Sequence, residues 1–139
     1  GYNRRALMLK KSARIIEKEY KGELPASVPL LRNLPGIGGT TAASISAFAF
    51  NTPTVFVETN IRTIFIDLLR STQKYKNTKI DDEEILSLVA ETLDRKNPRR
   101  WYSALMDYGT MLKRLHGNLN TQFPYHGLCH LHWHNTLGQ

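Results

Sequence analysis

The sequence contains a single cysteine, Cys129, among its 139 residues. An internal disulfide is therefore excluded, and so is a cluster held by four thiolates of one chain. The chain also lacks an apolar run long enough to span a bilayer, and its first residues show no secretory signal pattern. These absences favour an intracellular location as the default.

The initiator methionine is missing as well, because the chain begins with Gly1-Tyr2-Asn3 and enters a helical pattern at once. We expect a fragment whose start has been lost, or a processed product. A length of 139 residues predicts one domain, and a hydrophobic content of 41% is enough for a small core.

Acidic residues are few relative to basic ones. The chain has 19 Lys and Arg against 12 Asp and Glu, which gives a net charge of +7 and an isoelectric point near 9.7. This balance favours a polyanionic partner such as DNA, RNA or an acidic membrane surface. A generally basic soluble enzyme would have the same balance, so charge alone does not decide between them.

Apolar residues recur at helical spacing through most of the chain, which predicts an all-α fold. Residues 54–57 are β-branched and aromatic but have no evident partner strand, so we expect an extended connector there. Asn60 is the expected cap of the helix that follows, and a capping box formed by Asp81 and Glu84 is expected to begin the next one. The helices are predicted over residues 6–20, 27–34, 41–50, 61–69, 81–93 and 98–112.

The most informative motif is residues 34–42, LPGIGGTTA, in which a tight glycine-containing turn leads into an apolar helix. This pattern predicts a helix–hairpin–helix. Gly36 and Gly38 are expected to adopt backbone angles that other residues resist, and they leave the backbone open to a ligand. Free N–H groups at the helix N-terminus favour an anion, which for a basic protein is most often a nucleic-acid phosphate. A turn that only joins two packed helices is the alternative.

Glu58 is the candidate catalytic residue, because it lies at the end of the connector and just before a helix N-terminus. The helix dipole there favours a negatively charged carboxylate. Such a carboxylate facing a sugar either stabilises an oxocarbenium-like cation, the species through which bonds to nucleobases break, or adds to the anomeric carbon. The structural alternative for both Glu58 and Asn60 is a role as a helix cap.

Residues 34–62 resemble the helix–hairpin–helix DNA glycosylases, in which the hairpin is followed by a G-x-G-x-x-T-A helix, an extended segment and a catalytic acid. The resemblance is closest to the MutY-type adenine DNA glycosylases, whose Asp-Gly-Asn-Val-x-Arg corresponds to residues 58–63, ETNIRT. Residues 1–6, GYNRRA, look like their Gly-Tyr-Tyr-x-Arg-Ala, and residues 104–109, ALMDYG, look like their Met-Met-Asp-Leu-Gly-Ala. The resemblance extends over about residues 1–113.

The resemblance implies a partial six-helix bundle of the helix–hairpin–helix glycosylase fold over residues 1–118, followed by an irregular His-rich tail over residues 119–139. It assigns catalysis to Glu58 and Asn60, which occupy the places of a catalytic aspartate and a supporting asparagine. It assigns DNA binding to Pro35, Gly36, Ile37, Gly38, Gly39, Thr40, Thr41 and Arg62.

The function implied is hydrolysis of the N-glycosidic bond of a flipped-out adenine opposite guanine or 8-oxoguanine in base-excision repair. Bifunctional relatives have a lysine at the place of Thr40, so a monofunctional enzyme is implied. The implied partner is double-stranded DNA with a mismatched or damaged base pair. The protein is expected to be a monomer and not to bind a membrane. The expected location is cytoplasmic and nucleoid-associated, of bacterial type, or otherwise intracellular.

The chain departs from the family pattern in several ways. The acid is Glu58 rather than Asp, and the family's general acid, a glutamate upstream of the segment that matches Gly1, is not in this chain. The family usually has four cysteines for a [4Fe–4S] cluster, so no cofactor is expected here. The tail contains His and Cys residues, which are ligand types for zinc, but their spacing matches no zinc-binding pattern, so no metal is expected either. Excision of thymine or uracil, or DNA binding without catalysis, are the alternatives.

Overall fold

The computed structural model describes residues 2–72 and 80–117. Within these two ranges the regular secondary structure is α-helical, without a β-strand, so the predicted all-α class is confirmed. Residues 73–79 and the tail of residues 119–139 lie outside the described residues. In chain order, the helices are α1 Tyr2–Glu19, α2 Val28–Arg32, α3 Gly39–Phe50, α4 Thr59–Arg70, α5 Asp82–Thr92 and α6 Pro98–His116.

Most helix ends follow the local signals in the sequence. The Ser27 side chain accepts a hydrogen bond from the Leu30 N–H at the start of α2, and Pro98 occupies the first turn of α6. Asn51 ends α3 in the left-handed conformation, with φ 55°. The expectation for α4 was wrong, because its N-cap is Glu58, whose side chain accepts the first-turn N–H groups, and Asn60 lies inside the helix.

Two groups of buried apolar side chains hold the helices together. The large cluster joins α3, α4, α5 and α6, whereas the small cluster joins α1, α2 and α3 beneath the loop between α2 and α3. Helix α3 belongs to both, because Ala42 faces the small cluster while Ala43 and Ala47 face the large one. The buried members of the small cluster are Leu31, Leu34 and Ala42, and those of the large cluster are Ala43, Ala47, Phe56, Ile61, Phe65, Ile66, Ile80, Ile85, Val89, Leu93 and Tyr102.

The connector between α3 and α4 is extended but unpaired with any strand, as predicted. A tyrosine side chain supplies the hydrogen bonds to this backbone that a neighbouring strand would otherwise make. The Tyr102 hydroxyl donates to the carbonyl of Thr54 at 2.8 Å and accepts from the N–H of Phe56 at 3.3 Å. Its ring also stacks on that of Phe56, with 4.2 Å between the ring centroids. The α6 side chain therefore fixes the path of the backbone that leads to Glu58.

The start of α6 is tied to the end of α3. The Asn51 side chain accepts from the Arg99 N–H at 3.1 Å and donates to the carbonyl of Lys96 at 3.3 Å. The Arg99 guanidinium donates to the carbonyl of Ala49 at 2.8 Å. These bonds fix the start of α6 against the end of α3, and α6 also packs against α4.

Candidate functional site

The loop between α2 and α3, residues 33–38, forms the predicted hairpin. The N–H of Ile37 donates to the carbonyl of Leu34 at 3.1 Å, and Gly36 has φ +81°. A side chain at Gly36 would be strained by that angle and would also meet Met8 Cβ at 3.0 Å. The expectation for Gly38 was wrong in one respect, since its φ of −84° is open to any residue.

The first turn of α3 presents an open backbone. A Cβ added at Gly38 or Gly39 would meet no atom of the described residues within 4 Å, so the backbone at these two positions is not covered by that part of the chain. The backbone N–H groups of residues 38–41 donate to no acceptor in the described part of the chain. Unpaired N–H groups at a helix start, together with the positive end of the helix dipole, form a site for an anion.

Helix α1 supports the hairpin from behind. Ser12, only 4% exposed, donates from its hydroxyl to the carbonyl of Pro35 at 2.9 Å. Together with the contact between Met8 and Gly36, this bond fixes the turn against α1. The same helix has six exposed cations, which are Arg4, Arg5, Lys10, Lys11, Arg14 and Lys18.

Glu58 is half-buried and caps α4. Its Oε1 accepts from the N–H of Asn60 at 2.6 Å and from that of Ile61 at 3.3 Å. Within the described residues, no hydrogen bond engages the second oxygen, Oε2. The capping alternative for Glu58 is thus realised in the structure, yet it uses only one of the two oxygens. The carboxylate is therefore held in a fixed orientation through Oε1.

Asn60 is enclosed by one face of α6. The Lys113 ammonium donates to Asn60 Oδ1, and Asn60 Nδ2 faces the sulfur of Met106 at 3.8 Å. The backbone of Asn60 lies so close to Gly109 that a Cβ there would be 2.6 Å from the Asn60 carbonyl oxygen. Helical spacing brings these three α6 residues, at positions 106, 109 and 113, onto the same side of the helix.

Arg62 is separated from the other predicted DNA-binding residues. Its side chain is 6% exposed and forms an ion pair with Asp82 at the start of α5. A contact between Arg62 and DNA would require this buried pair to open, at the cost of leaving a charge unpaired. The structure therefore gives Arg62 a role in joining α4 to α5.

Sequence reasoning missed four residues that organise this region. They are Tyr102, Met106, Gly109 and Lys113, all on α6 and all in contact with residues 54–60. The match of residues 104–109 to a glycosylase motif was the available signal, because it marked α6 as part of the same unit. It did not indicate which residue that helix contacts.

Comparison with known proteins finds relatives that share one name, adenine DNA glycosylase. No family model matches the chain. It is 27% identical over 143 residues to the adenine DNA glycosylase of Buchnera aphidicola subsp. Baizongia pistaciae, and 30% identical over 140 residues to that of Mycolicibacterium smegmatis. The human adenine DNA glycosylase is 26% identical over 130 residues. These alignments cover 100%, 98% and 93% of this chain, so the resemblance predicted from the motifs is confirmed.

The chain spans only part of those relatives. It covers 39% of the Buchnera protein, 44% of the mycobacterial one and 24% of the human one. The expectation that this chain has no [4Fe–4S] cluster stays a prediction, and its one cysteine, Cys129, lies outside the described residues. Among the helices that the structure describes, none combines the length and apolar character needed to cross a membrane.

Proposed function

We infer that this chain belongs to a DNA glycosylase that hydrolyses the N-glycosidic bond of adenine paired with guanine or 8-oxoguanine. The observation that carries the proposal is the Glu58 carboxylate, with Oε1 fixed by two N–H groups of α4 and Oε2 left for a ligand. The relatives named adenine DNA glycosylase support the choice of base.

Glu58 has the geometry for stabilising a cationic sugar. As the bond between the base and the sugar breaks, positive charge develops on the anomeric carbon and the ring oxygen. A carboxylate already held in place reduces the barrier, because it does not reorganise as the charge appears. Oε2 is the oxygen that we assign to the sugar, while Oε1 maintains the cap of α4.

The hairpin supplies the DNA contact in this proposal. The open N–H groups of residues 38–41 bind a phosphate oxygen, and the exposed cations of α1 add a sequence-independent attraction. A base inside a duplex is out of reach of Glu58, so the adenine is flipped out of the stack before reaction. Duplex DNA with a mismatched or damaged pair is therefore the proposed partner.

The reaction is proposed to end at an abasic site. Strand cleavage through an imine requires an amine nucleophile, and the threonine hydroxyl at position 40 is unable to form an imine. The half-buried Thr40 lies in the first turn of α3, next to the proposed phosphate site. We therefore expect no strand cleavage and no product trapped by borohydride through residue 40.

Single-turnover release of adenine from a duplex with adenine opposite 8-oxoguanine tests the proposal. It should be measured on the 139-residue chain and on the longest protein that its gene encodes. Glu58→Gln keeps an oxygen that accepts the N–H groups of α4 but removes the charge, so we expect it to fold and to lose at least about a hundredfold in rate. Glu58→Asp keeps both the charge and the cap, and we expect it to retain activity.

Two outcomes would contradict the proposal. One is a Glu58→Gln variant that releases adenine at the wild-type rate, because the charge would then be irrelevant. The other is an absence of adenine release by both proteins, accompanied by salt-sensitive binding to the duplex. That result would leave a DNA-binding module without catalysis.

A further inference from the structure

Lys113 makes a hydrogen bond to a distant part of the chain. It is half-buried on α6, and its ammonium donates to Oδ1 of Asn60, which lies 53 residues earlier in the chain. A long lysine side chain loses rotamer freedom when it is held in one geometry. The next residue, Arg114, is exposed. Lys113 is therefore partly removed from solvent and hydrogen-bonded to Asn60.

The neighbours of Asn60 determine which way its amide points. A lysine ammonium only donates hydrogen bonds, whereas a thioether sulfur only accepts them. In the structure, Lys113 faces Oδ1 and the Met106 sulfur faces Nδ2 at 3.8 Å. Turning the amide over would place its NH₂ group against the ammonium and its oxygen against the sulfur. Both contacts would be unfavourable, so Lys113 and Met106 lock the amide in one orientation.

The locked amide is joined to the candidate catalytic carboxylate. The backbone N–H of Asn60 donates to Glu58 Oε1 at 2.6 Å, so the two residues move together. Nδ2 has two protons, and only the contact with Met106 uses one of them within the described residues. The other proton is available to an oxygen of a ligand beside Glu58.

We propose that Lys113 is a positioning residue, which holds the Asn60 amide so that its Nδ2 donates to a sugar or phosphate oxygen of the DNA bound at Glu58. The inference rests on the proposed glycosylase function. Lys113 itself does not contact the substrate in this account. Its effect is on the geometry of the reacting complex, and hence on the rate of reaction rather than on affinity for DNA.

Kinetics of matched variants test the role in the reaction. Lys113→Met keeps the length of the side chain and removes the donor, and we expect the single-turnover rate at saturating DNA to fall about tenfold or more. Lys113→Arg restores a donor and should recover most of that rate. Arg114→Met removes the same charge one residue away, so it controls for the general attraction of DNA. The dissociation constants of Lys113→Met and Arg114→Met for duplex DNA should agree with each other within about twofold.

Two kinetic outcomes would overturn the inference. If Lys113→Met and Arg114→Met weaken DNA binding equally and leave the rate at saturation unchanged, Lys113 is an ordinary surface cation and the inference is overturned. It is equally overturned if Lys113→Arg is as slow as Lys113→Met while both fold normally, because the donor would then not be the relevant property.

A measurement without catalysis tests the lock itself. The side-chain NH₂ signals of Asn60 in a ¹H–¹⁵N spectrum, assigned by their loss in Asn60→Asp, should move in Lys113→Met and stay near their wild-type positions in Lys113→Arg and Arg114→Met. Unchanged signals in Lys113→Met would refute the lock. If the lock is present but the wild-type protein releases no adenine, the proposed function fails. If adenine is released at a rate insensitive to Lys113→Met, only this inference fails.

Discussion

The hairpin and the carboxylate segment, residues 58–62, depend on distant residues to different degrees. The hairpin turn closes between Leu34 and Ile37 and its helix begins two residues later, while α1 adds one hydrogen bond, from Ser12 to the Pro35 carbonyl. It rests on the small cluster of three buried side chains. The carboxylate segment caps its own helix, but its surroundings come from residues about 50 positions further along the chain.

This difference separates binding from chemistry in the proposed function. A phosphate site needs only an open backbone at a helix start, which a short local motif provides. A carboxylate and an amide that act on a sugar must be held within a fraction of an ångström, which demands support from the packed interior. The large cluster, together with Tyr102, Gly109 and Lys113, provides that support. We therefore expect changes in α6 to damage the rate, and changes in the hairpin to damage affinity.

The largest effect is expected from Gly109→Ala. Helix propensity alone predicts a gain in stability of about 1 kcal/mol for this change. The added Cβ would lie 2.6 Å from the Asn60 carbonyl oxygen, which is backbone and does not move aside easily. We predict a net loss of about 3 kcal/mol in the free energy of unfolding, measured by urea denaturation. Thr110→Ala, at the exposed next position, is the control, and a Gly109→Ala protein more stable than wild type would contradict the close contact.

A smaller loss is expected from Tyr102→Phe. The ring still fills its buried site, but the Phe56 N–H and the Thr54 carbonyl lose the hydroxyl that both of them bond. A buried polar group left unpaired costs about 1–3 kcal/mol, so we predict a loss of about 2 kcal/mol in the free energy of unfolding. The rate of adenine release should fall with it, because the path of the connector sets the position of Glu58. A fully stable variant would show that packing alone fixes the connector.

Two glycine variants separate backbone strain in the hairpin, at Gly36, from steric blocking of its open N–H groups, at Gly38. Gly36→Ala places a side chain at φ +81° and against Met8, so we predict a loss of about 1–2 kcal/mol in stability. Gly38→Ala meets neither obstacle and should leave stability within about 0.5 kcal/mol of wild type. It nevertheless adds a methyl group beside the open N–H groups, so its affinity for duplex DNA should fall. Equal affinities for wild type and Gly38→Ala would argue against a phosphate at this turn.

The smallest effect is confined to alkaline solution. Burial raises the pKa of Tyr102 to about 12, against an ordinary value near 10. The folded state therefore keeps a proton that the unfolded state loses between pH 10 and about 12. The resulting contribution to stability is constant below pH 10 and decreases as the pH rises through this window. Thermal unfolding across the window should show a shallower decrease in Tm for Tyr102→Phe than for wild type, and parallel curves would contradict the shift.

The sequence predicted the all-α class, the hairpin and most helix ends, because these depend on local signals such as Ser27 and Pro98. It did not anticipate the contacts that distant residues make. Asn60 was expected as a cap, but the connector held by Tyr102 places Glu58 at that position with extended backbone. Arg62 was assigned to DNA, but Asp82 on α5 binds it in the interior.

The most direct test of the central claim is a measurement of two quantities on two variants. The dissociation constant for duplex DNA and the single-turnover rate of adenine release at saturating protein should be determined for Gly38→Ala and Glu58→Gln. The account predicts that Gly38→Ala weakens binding while its rate at saturation stays near wild type. It predicts the reverse for Glu58→Gln, with wild-type affinity and at least about a hundredfold slower release. Two variants that change both quantities in the same proportion would contradict the separation of binding from chemistry.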